Sequence, residues 1–129
     1  MKIVWTNGCF DILHRGHIEL FKYAKSLGNH LIVGVDTDEK VKRDKGEGRP
    51  INSIDDRIEI LKSIKYIDEV VWFDSTKGLE NLVKKISPNV MVIGSDWKGK
   101  DVIGQEYTNK LVFFDRIGSY STTNILKNN

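Results

Sequence analysis

TNGCFDILHRGH, residues 6–17, follows the short apolar run Ile3-Val4-Trp5 and leads into an amphipathic helical pattern. A strand that hands a glycine-containing loop to a helix is the opening unit of an alternating β/α chain. It is also a place to hold phosphate. The first backbone N–H groups of the helix are unpaired, and the helix dipole favours negative charge. His14 and His17 stand about one helical turn apart, so both imidazoles can face one anion. Gly16 between them allows close backbone approach. Each piece also has an ordinary reading: a turn glycine, a surface or metal-ligand histidine pair, and Asp11 as an N-cap. Their combination in one strand–loop–helix unit favours the anion site.

The rest of the chain repeats the unit. A helix is expected from near His17, with Leu20, Phe21, Ala24 and Leu27 at helical spacing and Gly28 as its C-cap. Leu31, Ile32, Val33 and Val35 form the kind of apolar run that parallel sheets bury on both faces. Residues 36–52, DTDEKVKRDKGEGRPIN, are polar and glycine-containing and read as a long loop. Ser53 to Asp56 resembles a capping box with Asp in place of Glu, opening a helix that turns Ile54, Ile58, Leu61 and Ile64 inward. Val70 to Phe73 is a third strand, and Leu79, Leu82, Val83 and Ile86 mark a helix that should stop before Pro88. Val90 to Ile93, ending at Gly94, and Leu111 to Phe114 complete five strands, and Ser121 can cap a short last helix through Ile125 and Leu126. Trp5, Trp72 and Met91 are expected in the core, and His30 at the surface. This alternation predicts a doubly wound, Rossmann-like α/β fold with helices on both faces of a parallel sheet. Ligands in such sheets bind beyond the carboxyl ends of the strands. That rule selects residues 7–17, 36–49, 94–97 and 116–123.

The chain has 129 residues, and all of it is expected to form one domain. Its 40% hydrophobic and 29% charged content is that of a soluble globular protein. Twenty basic and 18 acidic residues leave a net charge of +2, no general case for nucleic acid or membrane binding. No stretch is long enough to span a bilayer, and residues 1–6 read as a strand, not a signal peptide. The single cysteine, Cys9, cannot form an internal bridge, which suits a reducing cytoplasm. Nothing in the sequence pairs it with an acid–base partner.

GCFDILHRGH resembles the GxFDxxHxGH signature of the cytidylyltransferase-like nucleotidyltransferases. The resemblance runs from the first strand to Ser121-Thr122-Thr123. KGEGRPIN, residues 45–52, is similar to the KGxxRPxN stretch of heptose-phosphate adenylyltransferase domains. Gly94-Ser95-Asp96-Trp97 looks like the G-x-D-[WY] element at the nucleotide pocket of relatives, and Lys98-Gly99-Lys100 continues it as in glycerol-3-phosphate cytidylyltransferases. Arg116 with Ser121-Thr122-Thr123 resembles the element that closes the family signature. The resemblance implies strand order 3-2-1-4-5 and nucleotide contacts from Gly8, Cys9, Phe10, Asp11, Gly16, Arg57, Gly94, Asp96, Trp97, Ser121, Thr122 and Thr123. Arg57 fits equally as an exposed helix residue, Lys42 and Arg49 would meet the acceptor, and Asp11 would organise the loop or the metal environment. Residues 65–70, KYIDEV, resemble a subunit-contact segment of family homodimers.

The implied reaction is attack by the phosphate of a small substrate on the α-phosphorus of a nucleoside triphosphate. A phosphate oxyanion is already nucleophilic, so the protein has to position the partners and absorb charge. His14, His17, Lys45 and Arg116 are the expected catalytic contacts, and Mg²⁺ is expected to arrive with the triphosphate, since no ligand cluster is visible. Substrate signals are mixed. Arg116 and residues 94–100 suit CTP and glycerol 3-phosphate. The NGCFD opening, residues 45–52 and Val102-Ile103-Gly104 suit ATP and a heptose 1-phosphate. Ile93 stands where the adenylyltransferases place a Lys, and the stretch before Arg57 is longer than in the cytidylyltransferases. The balance falls narrowly on CTP. Two readings of other classes are a nucleotide-binding regulator without catalysis and a thiol redox protein using Cys9. The second lacks a resolving cysteine.

Overall fold

Successive residues of a strand point to opposite faces, and in this chain both faces are apolar. In the computed structural model, which describes residues 1–115, the elements follow in chain order. They are β1 (Ile3–Gly8), α1 (Arg15–Ser26), β2 (His30–Asp36), α2 (Asp38–Lys45), α3 (Ile54–Lys62), β3 (Glu69–Phe73), α4 (Thr76–Ile86), β4 (Val90–Gly94) and β5 (Lys110–Phe114). Short 3-10 turns lie at Ser95–Trp97 and Gln105–Tyr107. The five strands form one sheet in the order β3-β2-β1-β4-β5, and every pairing is parallel. Arg116, Ser121, Thr122, Thr123 and the expected last helix lie outside the described residues.

Val4, Leu31, Val33, Val35, Val90 and Val92 pack with Phe21 and Ala24 of α1 and Leu61 of α3. Their strand neighbours Trp5, Ile32, Met91 and Ile93 pack on the other face with Leu79 and Val83 of α4. Trp5 is fully buried, its indole N–H donating to Asn7 Oδ1 at 2.8 Å. It has room because β2 carries Gly34 beside it. A Cβ at Gly34 would lie 2.6 Å from the Trp5 ring. We expect Gly34→Ala to destabilise the protein by roughly 1–3 kcal/mol, the usual cost of overpacking, read as a lower urea midpoint. An unchanged midpoint would mean that Trp5 turns aside freely.

Three expectations need correcting. Trp72 is not core: it is 59% exposed, on β3, which stands beside β2 at the edge of the sheet formed by the described residues. Residues 36–52 are not all loop, since eight of them form α2. Thr37 caps it by accepting from the Lys40 N–H, Asp38 and Glu39 occupy the first turn, and Lys42, Arg43 and Lys45 the last. That charge order suits the helix dipole, but only Val41 is buried, too little for a periodic signal. Finally, α1 begins at Arg15, two residues before His17, because His14 is its N-cap. Its C-cap is Leu27, and Gly28 follows where a Cβ would meet the Lys2 carbonyl oxygen at 2.6 Å.

Candidate functional site

The loop after β1 turns sharply. Phe10 takes a left-handed conformation, φ +49°, which a bulky residue adopts only when its surroundings hold it there. Its buried ring meets His17 and Phe21 edge-on, with centroids 5.5 and 5.2 Å away. A Cβ at Gly8 would be 3.1 Å from that ring. The Phe10 ring therefore anchors the loop from beneath.

Asp11 does the same work by polar means. Its side chain is fully buried, and it accepts from the Ile51 and Asn52 backbone N–H groups, both at 2.8 Å, and from Arg49 Nε at 3.2 Å. Asn52 Nδ2 returns a bond to the Asp11 carbonyl oxygen at 2.8 Å. The stretch after α2 is thus pinned to the β1 loop, and Arg49 Nε is engaged by Asp11.

Arg57 is 1% exposed, which corrects the reading of it as an exposed helix residue. Its guanidinium donates to the carbonyl oxygens of Asn52 (3.1 Å), Cys9 (2.8 Å) and Asp36 (2.8 Å) and to Asp38 Oδ1 (2.7 Å). It ties together the ends of β1 and β2, the start of α2 and the approach to α3. Its role is to hold the rim in place.

The two histidines build the start of α1. His14 Nδ1 accepts from the Gly16 N–H at 3.1 Å, and His17 Nδ1 accepts from the His14 N–H at 3.2 Å. A ring nitrogen that accepts carries no proton, so each neutral imidazole bears its hydrogen on Nε2. The rings are stacked, with centroids 3.8 Å apart. Burial, and then the neighbouring His14, lower the His17 pKa to about 4. His17 is therefore a neutral donor at physiological pH, with its tautomer set by the backbone. Both rings are only partly buried.

A cavity of about 400 Å³ opens at the carboxyl ends of β1, β2 and β4. It brings together six expected site residues: Gly8, Cys9, Lys45, Gly94, Asp96 and Trp97. A Cβ at Gly94 would sit 2.6 Å from Asp96 Oδ1, so any larger residue there would turn the Asp96 carboxylate aside. Trp97 is 44% exposed, with Lys100 Nζ 5.7 Å from its ring centroid. Burial raises the Cys9 pKa and the cations Arg57 and Lys45 only offset it, so Cys9 stays a thiol. His14, His17 and Gly16 do not line this cavity, nor does Lys42, which is exposed on α2. Asp36, Lys40, Asp44 and Thr76 do line it and were not singled out from sequence. The first three share one visible signal, the acid–base–acid spacing at i, i+4 and i+8. Among the described residues no group of three His, Cys, Asp or Glu side chains is placed to hold a metal ion, and no helix is long and apolar enough to cross a membrane.

Comparison with known proteins gives the family and the fold. Two bacterial proteins named bifunctional protein HldE are similar to the chain over 126 residues, 98% of its length. That of Campylobacter concisus is 48% identical and that of Helicobacter hepaticus 46%. The chain spans about a quarter of the length of these relatives, 26% in each. A crystal structure of a lipopolysaccharide core biosynthesis protein from Thermoplasma volcanium superposes with a TM-score of 0.72 at 29% identity, covering 94% of this chain and 99% of that one. A protein of unknown function from Archaeoglobus fulgidus, 20% identical with a TM-score of 0.67, shares the fold. The Cytidylyltransferase-like family model matches residues 5–126, and the chain belongs to that family of nucleotidyltransferases.

Proposed function

We propose that this chain transfers a nucleoside monophosphate from a Mg²⁺-bound nucleoside triphosphate to the phosphate of a small, sugar-like acceptor. An acceptor phosphate oxygen attacks the α-phosphorus, the new P–O bond forms as the bond to the β-phosphate oxygen breaks, and pyrophosphate leaves. No proton has to move. The observation that carries the reading is the cavity lined by Gly8, Cys9 and Lys45, with the loop from Gly8 and Cys9 leading to the two backbone-held histidines at the start of α1. On this reading His14 and His17 act on the phosphates from the start of α1, and Lys45 acts from the end of α2. Neutral Nε2–H donors stabilise phosphoryl charge without adding a second buried cation. Lys42 and Arg116 are proposed to add positive charge to the polyphosphate.

For the substrates we favour ATP and a heptose 1-phosphate. The similarity of residues 45–52 to heptose-phosphate adenylyltransferase domains, the likeness to HldE proteins over nearly the whole chain, and a neighbour named for lipopolysaccharide core biosynthesis outweigh the narrow sequence balance towards CTP. CTP with glycerol 3-phosphate is the second reading, favoured by residues 94–100. Incubation of each triphosphate with each acceptor, scored by pyrophosphate release, tests both. We expect turnover with ATP and heptose 1-phosphate at least about tenfold above CTP with glycerol 3-phosphate. The reverse ratio would restore the cytidylyl reading, and nucleotide binding without turnover in any pairing would favour a regulator. A homodimer through residues 65–70 is part of the same proposal.

A further inference from the structure

One wall of the cavity has a charge pattern that triphosphate chemistry does not require. Lys40 Nζ lies between two carboxylates, 3.4 Å from Asp36 Oδ2 and 2.6 Å from Asp44 Oδ2. All three side chains line the cavity, with Thr76 nearby. Leu79, Ile93, Val102 and Ile103 contribute an apolar surface to the same space. Two carboxylates and one ammonium sum to a single negative charge, so this wall repels phosphate. Lys45, next in sequence to Asp44 and also lining the cavity, carries the opposite sign. The lining is therefore divided between a cationic end and an anionic wall. Burial alone would lower the Lys40 pKa, but its two carboxylate partners outweigh that and raise it. Lys40 thus stays charged between them. An ionised carboxylate takes O–H donors in short, charge-assisted bonds.

We propose that Asp36 and Asp44, held in place by Lys40, determine specificity by reading the hydroxyl groups of the acceptor, whose phosphate lies towards Lys45. The acceptor class is then a phosphorylated polyhydroxyl compound, and a phosphorylated alkyl chain of the same size is rejected. This rests on the nucleotidyltransferase reading above. It adds the residues that choose the acceptor, separate from those that meet the triphosphate.

The test compares wild type with Asp44→Ala in the full chain. Asp44 is half exposed on a surface helix, so folding is checked simply by a thermal melt. KM is measured separately for triphosphate and acceptor by pyrophosphate release. Heptose 1-phosphate, glycerol 3-phosphate and propyl phosphate are the probes. Wild type is expected to prefer a polyol phosphate over propyl phosphate by at least about tenfold in kcat/KM. Asp44→Ala is expected to raise the polyol phosphate KM about tenfold, leave the triphosphate KM within about twofold, and shrink the preference over propyl phosphate to about threefold or less. Turnover with that preference intact in the variant overturns this inference alone, as does an equal rise in both KM values. No pyrophosphate release by wild type with any probe and either triphosphate overturns the nucleotidyltransferase reading, and this one with it.

Discussion

Arg57→Met is expected to remove about 3–5 kcal/mol of folding stability, the range for breaking a buried ion pair by deleting one partner. Methionine roughly fills the space of the side-chain stem but donates nothing. The Asp38 carboxylate loses its cation, and the carbonyl oxygens of Cys9, Asp36 and Asn52 lose their donor together. Such a loss is a large share of the 5–15 kcal/mol that holds a typical domain together. Urea unfolding at pH 7 measures it, provided that the slope of the transition is unchanged. Arg57→Lys keeps the charge for Asp38 but cannot span four acceptors, so about half the loss is expected. A loss below about 1 kcal/mol for Arg57→Met would show that the rim holds together without the guanidinium. The consequence also reaches function, because the same bonds fix the backbone of Cys9 and Asp36 at the cavity edge.

His17→Ala is expected to lower kcat at least about a hundredfold, or roughly 2.7 kcal/mol, with a much smaller change in KM. A donor that meets charge formed only in the transition state acts on kcat, whereas one that only binds substrate acts on KM. Because His17 also caps α1, His17→Asn is the companion variant, since its amide oxygen can still accept from the His14 N–H. Full turnover in either variant would remove His17 from the chemistry. The same ring makes a prediction in pH. His17 titrates near 4 in the folded protein and near 6.5 when unfolded. Between those values the unfolded chain binds the extra proton, so this contribution is complete above about pH 6.5 and is lost as the pH falls towards 4. Its upper bound is roughly 3 kcal/mol, reduced by the partial exposure of the ring. Urea midpoints between pH 7 and 4.5 should fall more steeply for wild type than for His17→Asn. Parallel curves would contradict the lowered pKa.

The expected five parallel strands are those observed, within a residue at most ends, because apolar runs bounded by polar turns are local patterns. Helix starts were legible for the same reason where a cap was strong. Ser53 does accept from the Asp56 N–H, at 3.3 Å. Legibility failed where a residue's role depends on what a distant segment brings to it. Arg57 reads as surface or ligand-facing until β1, β2 and α2 converge on its guanidinium. Arg49 looks like a free cation until Asp11, 38 positions earlier, takes it. Trp72 reads as core because its strand is apolar, yet being at the edge of a sheet is a property of topology, not of composition.

By itself, then, the order of residues determined the alternation of strands and helices, the loop at residues 6–17 and the family. Packing alone decided which polar side chains line the cavity and which are spent on the frame. The physical reason is range. Periodicity, capping and turn chemistry act over a few residues, whereas a buried charge goes wherever the folded chain supplies enough hydrogen-bond partners to offset its lost hydration.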